Sequence, residues 1–383
     1  MQRSFLRPIP ALLVATCLMW IAVGGLAQEG SENPAESEAR PGAVFQAKLN
    51  EWKEVLKELR KVQATYTSVN AEEAAEIRQR WPELIAQGQA MIGELRDAGT
   101  LAYVASPGVD RDLERFLIKV LNDDVAFDRY EEAARTSQAL LANGCDVKSL
   151  LSIAGVSSFA TNDYDKAEEY LQQAQAAGVL SDNGRAFMGL LSEYRQFWEA
   201  EKKLREQEAA ETDPEKQLPQ VKITTNIGEV VVELFENEAP GAVGNFVNLV
   251  EKGFYDGLSF HRVMAGFMAQ GGCPLGTGSG GPGYNIPCEC YEPNHRKHFR
   301  GTLSMAHAGR DTGGSQFFLT FVPTDHLNNK HTAFGRVIEG LEVLGRIRRI
   351  EAGDSKKEVP DKIVKMEVIR KRPGTEYVPR KVQ

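Results

Sequence analysis

The spacing of apolar and polar positions divides the chain into a helical part and a strand-rich part. Apolar residues recur at steps of three and four between residues 43 and 205, for example at Leu49, Trp52, Leu56 and Leu59. That spacing is the period of amphipathic helices. From residue 220 to residue 372 the pattern changes to short alternating runs between glycine-rich turns, which is typical of strands. We predict an all-α domain followed by a β domain.

The alternating pattern also locates the elements of the β domain. It predicts a hairpin from residues 221–225 and 230–235, with Asn226, Ile227 and Gly228 at its turn. Helices are expected at residues 240–252 and near residues 341–350. The remaining predicted strands cover residues 260–263, 267–271, 303–306, 317–320, 333–337 and 363–369.

The helical part contains a repeat with a period of 34 residues. The segment that begins at Tyr130 matches the segment that begins at Tyr164, and the glycine pairs Gly144/Gly178 and Gly155/Gly189 have the same spacing. A helix-turn-helix period of this length resembles the tetratricopeptide repeat. Such a domain, residues 43–205, is expected to recruit a protein partner. An amphipathic helical bundle with accidental spacing is the alternative.

The two ends of the chain and the segment between the halves are less regular. Residues 1–27 combine Arg3 and Arg7 with an apolar run and a small-residue end, the layout of a cleaved signal peptide. The alternative is an uncleaved membrane anchor, and only in that case is contact with a membrane expected. Residues 28–42 are predicted to be a disordered linker, residues 206–219 a charged linker and residues 373–383 a tail. We expect an exported protein, periplasmic or extracellular.

Charge is distributed unevenly. The net charge is −8, yet residues 219–383 contain 21 basic and 18 acidic residues, which leaves −11 for the first 218. An acidic first half argues against nucleic acid as a partner.

Three sequence blocks carry the candidate chemistry. They are FHRVMAGFMAQGG at residues 260–272, GTLSMA with GGSQFF at 301–318, and a third block at 327–335. Arg262 and Gln270 flank an apolar Phe-Met pair. Residues of these types suit catalysis of rotation about a prolyl peptide bond, which has a barrier of about 18–20 kcal/mol. An apolar pocket would hold the proline ring, and a donor aimed at the prolyl nitrogen would stabilise the twisted state. Arginine is a permanently charged, forked donor.

These blocks resemble the cyclophilins, the β-barrel peptidyl-prolyl cis/trans isomerases. The resemblance covers residues 220–372 and implies a closed antiparallel β-barrel capped by two helices. It implies isomerase activity (EC 5.2.1.8) on proline-containing polypeptides without a cofactor or a metal. A non-catalytic scaffold or chaperone that binds proline-containing segments is the alternative function.

The resemblance also assigns the site residues. Arg262 is the catalytic arginine, and Gln270 holds the substrate carbonyl and orients the arginine. His326 stands where many relatives have a tryptophan that contacts cyclosporin, which implies weak binding of that drug. The remaining residues assigned to substrate binding are His261, Phe267, Met268, Ala306, His307, Ala308, Gln316, Phe318, Leu327 and His331.

Four cysteines follow the predicted signal peptide. Cys145 lies alone in the helical part, and Cys273, Cys288 and Cys290 lie together in the β part. In an exported protein a disulfide from Cys273 to Cys288 or Cys290 is expected. Free thiols remain an alternative, and so does a zinc site completed by His295 or His298.

Overall fold

The computed structural model describes residues 40–66, 71–350 and 359–382. The predicted signal peptide therefore lies outside the described residues, as does most of the linker after it. The chain divides into two compact units, one with residues up to Asn122 and Arg135–Leu150, the other with Asp123–Ala134 and Leu151–Gln383. No helix in the described part of the chain is long and apolar enough to cross a membrane.

Seven helices precede the first strand among the described residues. They are α1 (Pro41–Tyr66), α2 (Ala71–Ala105), α3 (Arg111–Ala126), α4 (Tyr130–Ala142), α5 (Ser149–Ala160), α6 (Tyr164–Ala176) and α7 (Asp182–Ala210).

The first unit is held together by the apolar stripe that the sequence predicts. Trp52, Leu56 and Leu59 of α1 are each at most 5 % exposed. The ring of Phe116 on α3 packs 6.5 Å from that of Trp52 and 5.6 Å from that of Phe45. These contacts bury the stripe, which is the main source of stability for an amphipathic helix.

The turns before α4 and α6 have the same geometry, 34 residues apart. Asp128 and Asn162 both have a positive φ, of 60° and 64°. In each turn the side-chain oxygen accepts a hydrogen bond of 3.0 Å from a tyrosine hydroxyl two residues later, Tyr130 or Tyr164. Asp and Asn are the residues other than glycine that best tolerate this backbone conformation. The 34-residue period thus has a structural counterpart.

The glycine pairs of the repeat have unequal roles. Gly144 and Gly178 end α4 and α6 with φ of 81° and 71°, a conformation that favours glycine at a helix C-terminus. A side chain at Gly155 would begin 2.7 Å from Leu171, so this glycine permits close packing of α5 on α6. At Gly189 the space is open, and no helix crosses closely there.

Eight strands form one antiparallel sheet in residues 219–382, called here the β domain. Its order is β3-β4-β6-β5-β7-β2-β1-β8. The strands are β1 (Gln220–Thr225), β2 (Gly228–Leu234), β3 (Arg262–Met264), β4 (Met268–Gly271), β5 (Thr302–Met305), β6 (Phe317–Thr320), β7 (Ala333–Glu339) and β8 (Ile363–Arg370), with helices α8 (Pro240–Glu251) and α9 (Leu341–Leu344).

The sheet is open in its hydrogen-bonding order. The edge strands β3 and β8 share no ladder in the described residues, and one isolated bridge joins Ser259 to Lys362 just before each strand. The structure thus shows an antiparallel half-barrel and does not show the predicted full closure into a barrel. Of the two predicted helices, α9 ends at Leu344, because the chain must then reach Ile350, which pairs with Val263 of β3.

One face of the sheet carries the core. Val263, Ala269, Leu303, Phe317 and Leu319 occupy alternate positions on paired strands and are at most 1 % exposed. They pack with Phe246 of α8 in a single apolar cluster. Because side chains alternate along a strand, the residues next to these in each strand point to the opposite face.

Helices α5 to α7 pack on the β domain within the second unit. Phe299 of the β domain is 1 % exposed and lies 5.7 Å from the ring of Tyr194 and 5.2 Å from that of Trp198, both on α7. The hydroxyl of Tyr194 donates to the carbonyl of His298 at 3.2 Å. An apolar cluster that includes Phe159 and Leu191 continues across this contact.

Buried ion pairs complete the same contact. Arg296 and Arg336 of the β domain have side chains only 2 % and 9 % exposed. Glu201 and Glu208 lie two helical turns apart on one face of α7 and pair with both arginines. Burial alone lowers the pKa of Arg296, but the surrounding glutamates outweigh it and raise the pKa.

The division into units therefore differs from the predicted boundary at residues 206–219. Helices α5 to α7 belong with the β domain because apolar and ionic contacts join them to it. The tail also packs on this domain. Tyr377 is 5 % exposed, and its hydroxyl donates to Glu236 at 2.9 Å.

We predict that Arg296→Ala strongly destabilises the second unit. The substitution removes a buried cation that pairs with Glu201, Glu208 and Glu238, and removal of one partner of a buried pair costs about 3–5 kcal/mol. The measurement is the free energy of unfolding by urea. As a control, Arg310→Ala breaks an exposed pair with Asp311 and should cost less than about 1 kcal/mol. Equal unfolding midpoints for Arg296→Ala and the wild type would show that apolar contacts alone hold α7.

Candidate active site

The site lies on the sheet face opposite the core. Arg262 on β3 is directly opposite Gln270 on β4, and Gln270 is opposite Phe318 on β6. Residues in register point to the same side of a sheet. The side chains of Arg262, Gln270 and Phe318 therefore share one surface, and the backbone alone brings these three predicted residues together.

A chain of hydrogen bonds fixes the polar part of the site. Nη1 of Arg262 donates to Oε1 of Gln270 at 3.4 Å, and Nε2 of Gln270 donates to Oε1 of Gln316 at 2.9 Å. Nε2 of Gln316 donates in turn to the carbonyls of Gly278 and Gly280, at 2.7 and 2.9 Å. The glycine-rich loop thus orients Gln316, and through it the amide of Gln270.

Apolar and aromatic side chains, called here the apolar pocket, adjoin Arg262. The guanidinium carbon of Arg262 lies 5.9 Å from the ring centroid of Phe267, which is partly exposed, whereas Met268 and Phe318 are buried. The ring of His331 meets that of Phe318 edge-on at 5.6 Å. Leu327 lies on the 3-10 turn Asp325–Leu327 and receives the backbone N–H of His331 at 3.0 Å.

Two stacked histidines form the other side of the site. The rings of His307 and His331 lie 4.1 Å apart. Nδ1–H of His331 donates to the carbonyl of Met305 at 2.9 Å, and Nε2–H of His307 donates to that of Lys330 at 2.8 Å. Burial, and then the neighbouring His307, lower the pKa of His331, so the imidazole facing the pocket is neutral at pH 7.

The remaining predicted binding residues surround these groups. The backbone N–H of Ala306 donates to the carbonyl of Gln316 at 3.0 Å, and that of Ala308 donates to Thr312 at 3.1 Å. The ring of His326 is exposed and lies 5.3 Å from that of Phe267. His261 lies beside Gly278 of the glycine-rich loop, and burial lowers its pKa.

A buried histidine supports the pocket from behind. His298 is fully buried, and its ring stacks on that of Phe318 with centroids 6.0 Å apart. Nδ1–H of His298 donates to Oδ1 of Asn328 at 2.9 Å, and Nε2 lies 2.9 Å from the hydroxyl of Ser304. Burial lowers the pKa of His298 to about 3. The sequence suggests His298 only as a possible zinc ligand and does not indicate this support for Phe318.

The predicted disulfide is not formed in this structure. Cys145, Cys273, Cys288 and Cys290 all have free thiols. The sulfur of Cys273 accepts the N–H groups of Gly278 and Gly280 at 3.3 and 3.2 Å, which engages it in the glycine-rich loop. No group of three or more residues able to bind a metal comes together in the described ranges, so the cysteines and histidines do not form the alternative zinc site.

The three Cys residues of the β domain differ in acidity. Burial acts to raise the pKa of Cys273, but backbone N–H groups of the loop outweigh it and lower the pKa. Burial raises the pKa of Cys288, and that of Cys290 to about 11.

Comparison with known proteins identifies this arrangement. The family model for "Cyclophilin type peptidyl-prolyl cis-trans isomerase/CLD" matches residues 220–368. A peptidyl-prolyl cis-trans isomerase of Helicobacter pylori is 61 % identical over 130 residues, which are 33 % of this chain and 78 % of that protein. The chain belongs to the cyclophilin family. Peptidyl-prolyl cis-trans isomerase B of Bacillus subtilis is 56 % identical over 131 residues, 34 % of this chain and 89 % of that cyclophilin.

A solved cyclophilin is also similar. The crystal structure of a cyclophilin-type isomerase from Cryptosporidium parvum is 35 % identical and covers 39 % of this chain and 97 % of its own, with a TM-score of 0.37. The activity of this cyclophilin follows from its relatives: it is a peptidyl-prolyl cis/trans isomerase.

We predict that His298 makes the fold sensitive to acid. Its pKa is about 3 in the folded chain and 6.5 when exposed, so the unfolded chain binds the extra proton between those values. The contribution of His298 to the free energy of unfolding is fully present above about pH 6.5. It decreases as the pH falls below this value, by about 2 kcal/mol at pH 5.

The measurement is urea unfolding at pH 7 and pH 5. His298→Gln, which cannot take up this proton, should lose about 2 kcal/mol less than the wild type between these pH values. His261 and His331 also have lowered pKa values and are unchanged in the variant, so the comparison isolates His298. An identical pH dependence in both proteins would refute the assignment.

Proposed function

We propose that Arg262 stabilises the twisted prolyl bond in this isomerase. As the bond rotates, the prolyl nitrogen becomes pyramidal and its lone pair becomes an acceptor that the planar amide does not offer. A guanidinium that donates to this lone pair binds the twisted state more tightly than the planar one, which is the condition for catalysis. The observation that carries the proposal is the position of Arg262, beside Phe267 and held by Gln270 at 3.4 Å.

The surrounding residues have separate tasks in this proposal. Phe267, Met268, Phe318, Leu327 and His331 hold the proline ring. Gln270 gives one N–H to Gln316, and its second N–H donates to the carbonyl of the substrate. The segment from Ala306 to Ala308 binds the residues before proline through backbone groups. A neutral His331 suits an apolar ring because no charge has to be desolvated.

Arg262→Ala tests the catalytic role. Acceleration relative to solution should fall by at least about 100-fold, since each 1.4 kcal/mol of lost stabilisation is a factor of about ten. The measurement is a protease-coupled assay on an Ala-Pro-Phe peptide, with circular dichroism to check the fold. Arg262→Lys keeps the charge without the fork and should recover only part of the rate.

The outcomes separate the two candidate functions. An Arg262→Ala variant with the wild-type rate and an unchanged spectrum would disprove the catalytic assignment. A wild-type protein that binds the peptide but does not accelerate isomerisation would favour the scaffold function.

We further propose that the protein acts on exported polypeptides and that its helices recruit partners. The apolar run and small residues within residues 1–27 support export. The recurring turns at Asp128 and Asn162 support an interpretation of α3–α4 and α5–α6 as two tetratricopeptide-like repeats. The relatives named peptidyl-prolyl cis-trans isomerases support proline-containing substrates for this chain.

Export makes a direct prediction about the N-terminus. Expression of the full chain in a bacterial host with two membranes should give periplasmic protein that begins at Gln28, by mass spectrometry of the intact chain. Ala27→Phe should abolish processing at this position because the cleavage site requires a small residue. Periplasmic protein that retains residues 1–27 would support the membrane anchor, and cytoplasmic protein would reject export.

A further inference from the structure

The β3–β4 hairpin has a contact that lies outside the isomerase fold itself. The turn between its strands consists of Ala265, Gly266 and Phe267, and Gly266 has a φ of 67°. The backbone N–H of Gly266 donates to Oδ1 of Asp128 at 2.8 Å. Asp128 lies between α3 and α4, 138 residues earlier in the chain, and both residues belong to the second unit.

Asp128 is a buried and fully engaged carboxylate. It is 0 % exposed. Its Oδ1 also accepts the hydroxyl of Tyr130, and its Oδ2 accepts Nη2 of Arg349 at 2.7 Å. Tyr130 and Arg349 thus hold the carboxylate in place together with the N–H of Gly266. It can therefore fix the position of Gly266.

Arg349 gives the same carboxylate a second connection to the hairpin. The next residue, Ile350, exchanges two backbone hydrogen bonds with Val263, of 2.8 and 2.9 Å. Val263 adjoins Arg262 on β3. Asp128 thus restrains β3 on its outer edge through Arg349 and at its turn through Gly266. Arg262 directly precedes the first of these two points.

The consequence for the site is geometric. Gly266 precedes Phe267, whose ring lies 5.9 Å from the guanidinium of Arg262. A shift of the turn would move the pocket wall and the donor relative to each other. Displacements of about 1 Å can reduce catalytic rates by about 100-fold. The hairpin is also short, with three residues in β3 and four in β4, so few ladder bonds resist such a shift.

The second repeat contains the same turn without this contact. Asn162 has a φ of 64° and accepts the hydroxyl of Tyr164, as Asp128 accepts that of Tyr130. Asn162 thus has the same backbone conformation and the same tyrosine hydrogen bond as Asp128, but its side chain is more exposed. The contact with the hairpin distinguishes the first turn from the second.

We propose that Asp128 is a positioning residue for isomerisation, which holds the Gly266 turn so that Arg262 and Phe267 stand in their working geometry. This inference rests on the proposed catalytic role of Arg262. It makes the helical part of the chain a component of the active site in addition to any role in recruitment.

The test uses the full chain with Asp128→Gly. Glycine adopts the positive φ without strain, so the substitution removes the carboxylate and leaves the turn intact. We expect kcat on the Ala-Pro-Phe peptide to fall at least tenfold with little change in KM, since the pocket remains but its donor is misplaced. Hydrogen exchange at the Gly266 amide should become faster in the same variant.

Two variants serve as controls. Asn162→Gly makes the same change in the matched turn and should leave kcat unchanged. Asp128→Asn retains an oxygen for Gly266 and tolerates the positive φ, so it should restore most of kcat although it loses the charge opposite Arg349.

Loss of the carboxylate also leaves Arg349 largely buried without its ion pair. If Asp128→Gly does not fold, Asp128→Gly with Arg349→Met replaces the pair by apolar groups, which buried pairs commonly tolerate. The folded double variant should show the same loss of kcat.

Wild-type kcat in folded Asp128→Gly, or in the folded double variant, would overturn the proposal, and so would an equal loss in Asn162→Gly. Failure of the catalytic assignment itself is recognised separately, by Arg262→Ala at the wild-type rate.

Discussion

The second unit contains buried arginines that must be paired with carboxylates, and its structure depends on these ion pairs. Arg296, Arg300 and Arg336 of the β domain are at most 7 % exposed, and the side chain of Arg349 is 15 % exposed. A cation can remain in such surroundings only with paired anions. The β domain supplies Glu233 and Glu238. The helical part supplies the others, from Glu201 and Glu208 on α7 and from Asp128 and Glu131 before and within α4.

This pairing accounts for part of the uneven charge of the sequence. Some acidic residues of the first half, Asp128, Glu131, Glu201 and Glu208, pair with arginines of the β domain of the same chain. Glu131, for example, makes two hydrogen bonds with Arg300, of 2.7 and 2.9 Å. Such fork-to-carboxylate contacts are strong and specific in geometry. They orient the helices on the sheet more narrowly than the apolar cluster around Phe299 does by itself.

The pattern of apolar and polar residues predicts the individual strands and helices. It does not predict contacts between segments that are far apart in the chain. The alternation around Val263 and Phe317 predicts strands with a buried face, and both residues are in the core. The motif that contains Arg262 and Gln270 predicts their adjacency, which the register of β3 and β4 provides. Arg296 and Glu201 are 95 residues apart, and neither stands out in its own segment. The local pattern therefore predicts a boundary at the charged linker, whereas α7 and the β domain lie in the same unit.

The same limit applies to the support of the site. Neither His298 behind Phe318 nor Asp128 at Gly266 belongs to a recognisable motif. A signal for Asp128 exists only in the repeat, where Asp128 aligns with Asn162 at a period of 34 residues. Both residue types satisfy the turn, but only aspartate also offers a charged partner for Arg349. Because either residue satisfies the turn, this position can gain a contact with another part of the chain while the turn keeps its structure. In this chain that contact reaches the hairpin that carries Arg262.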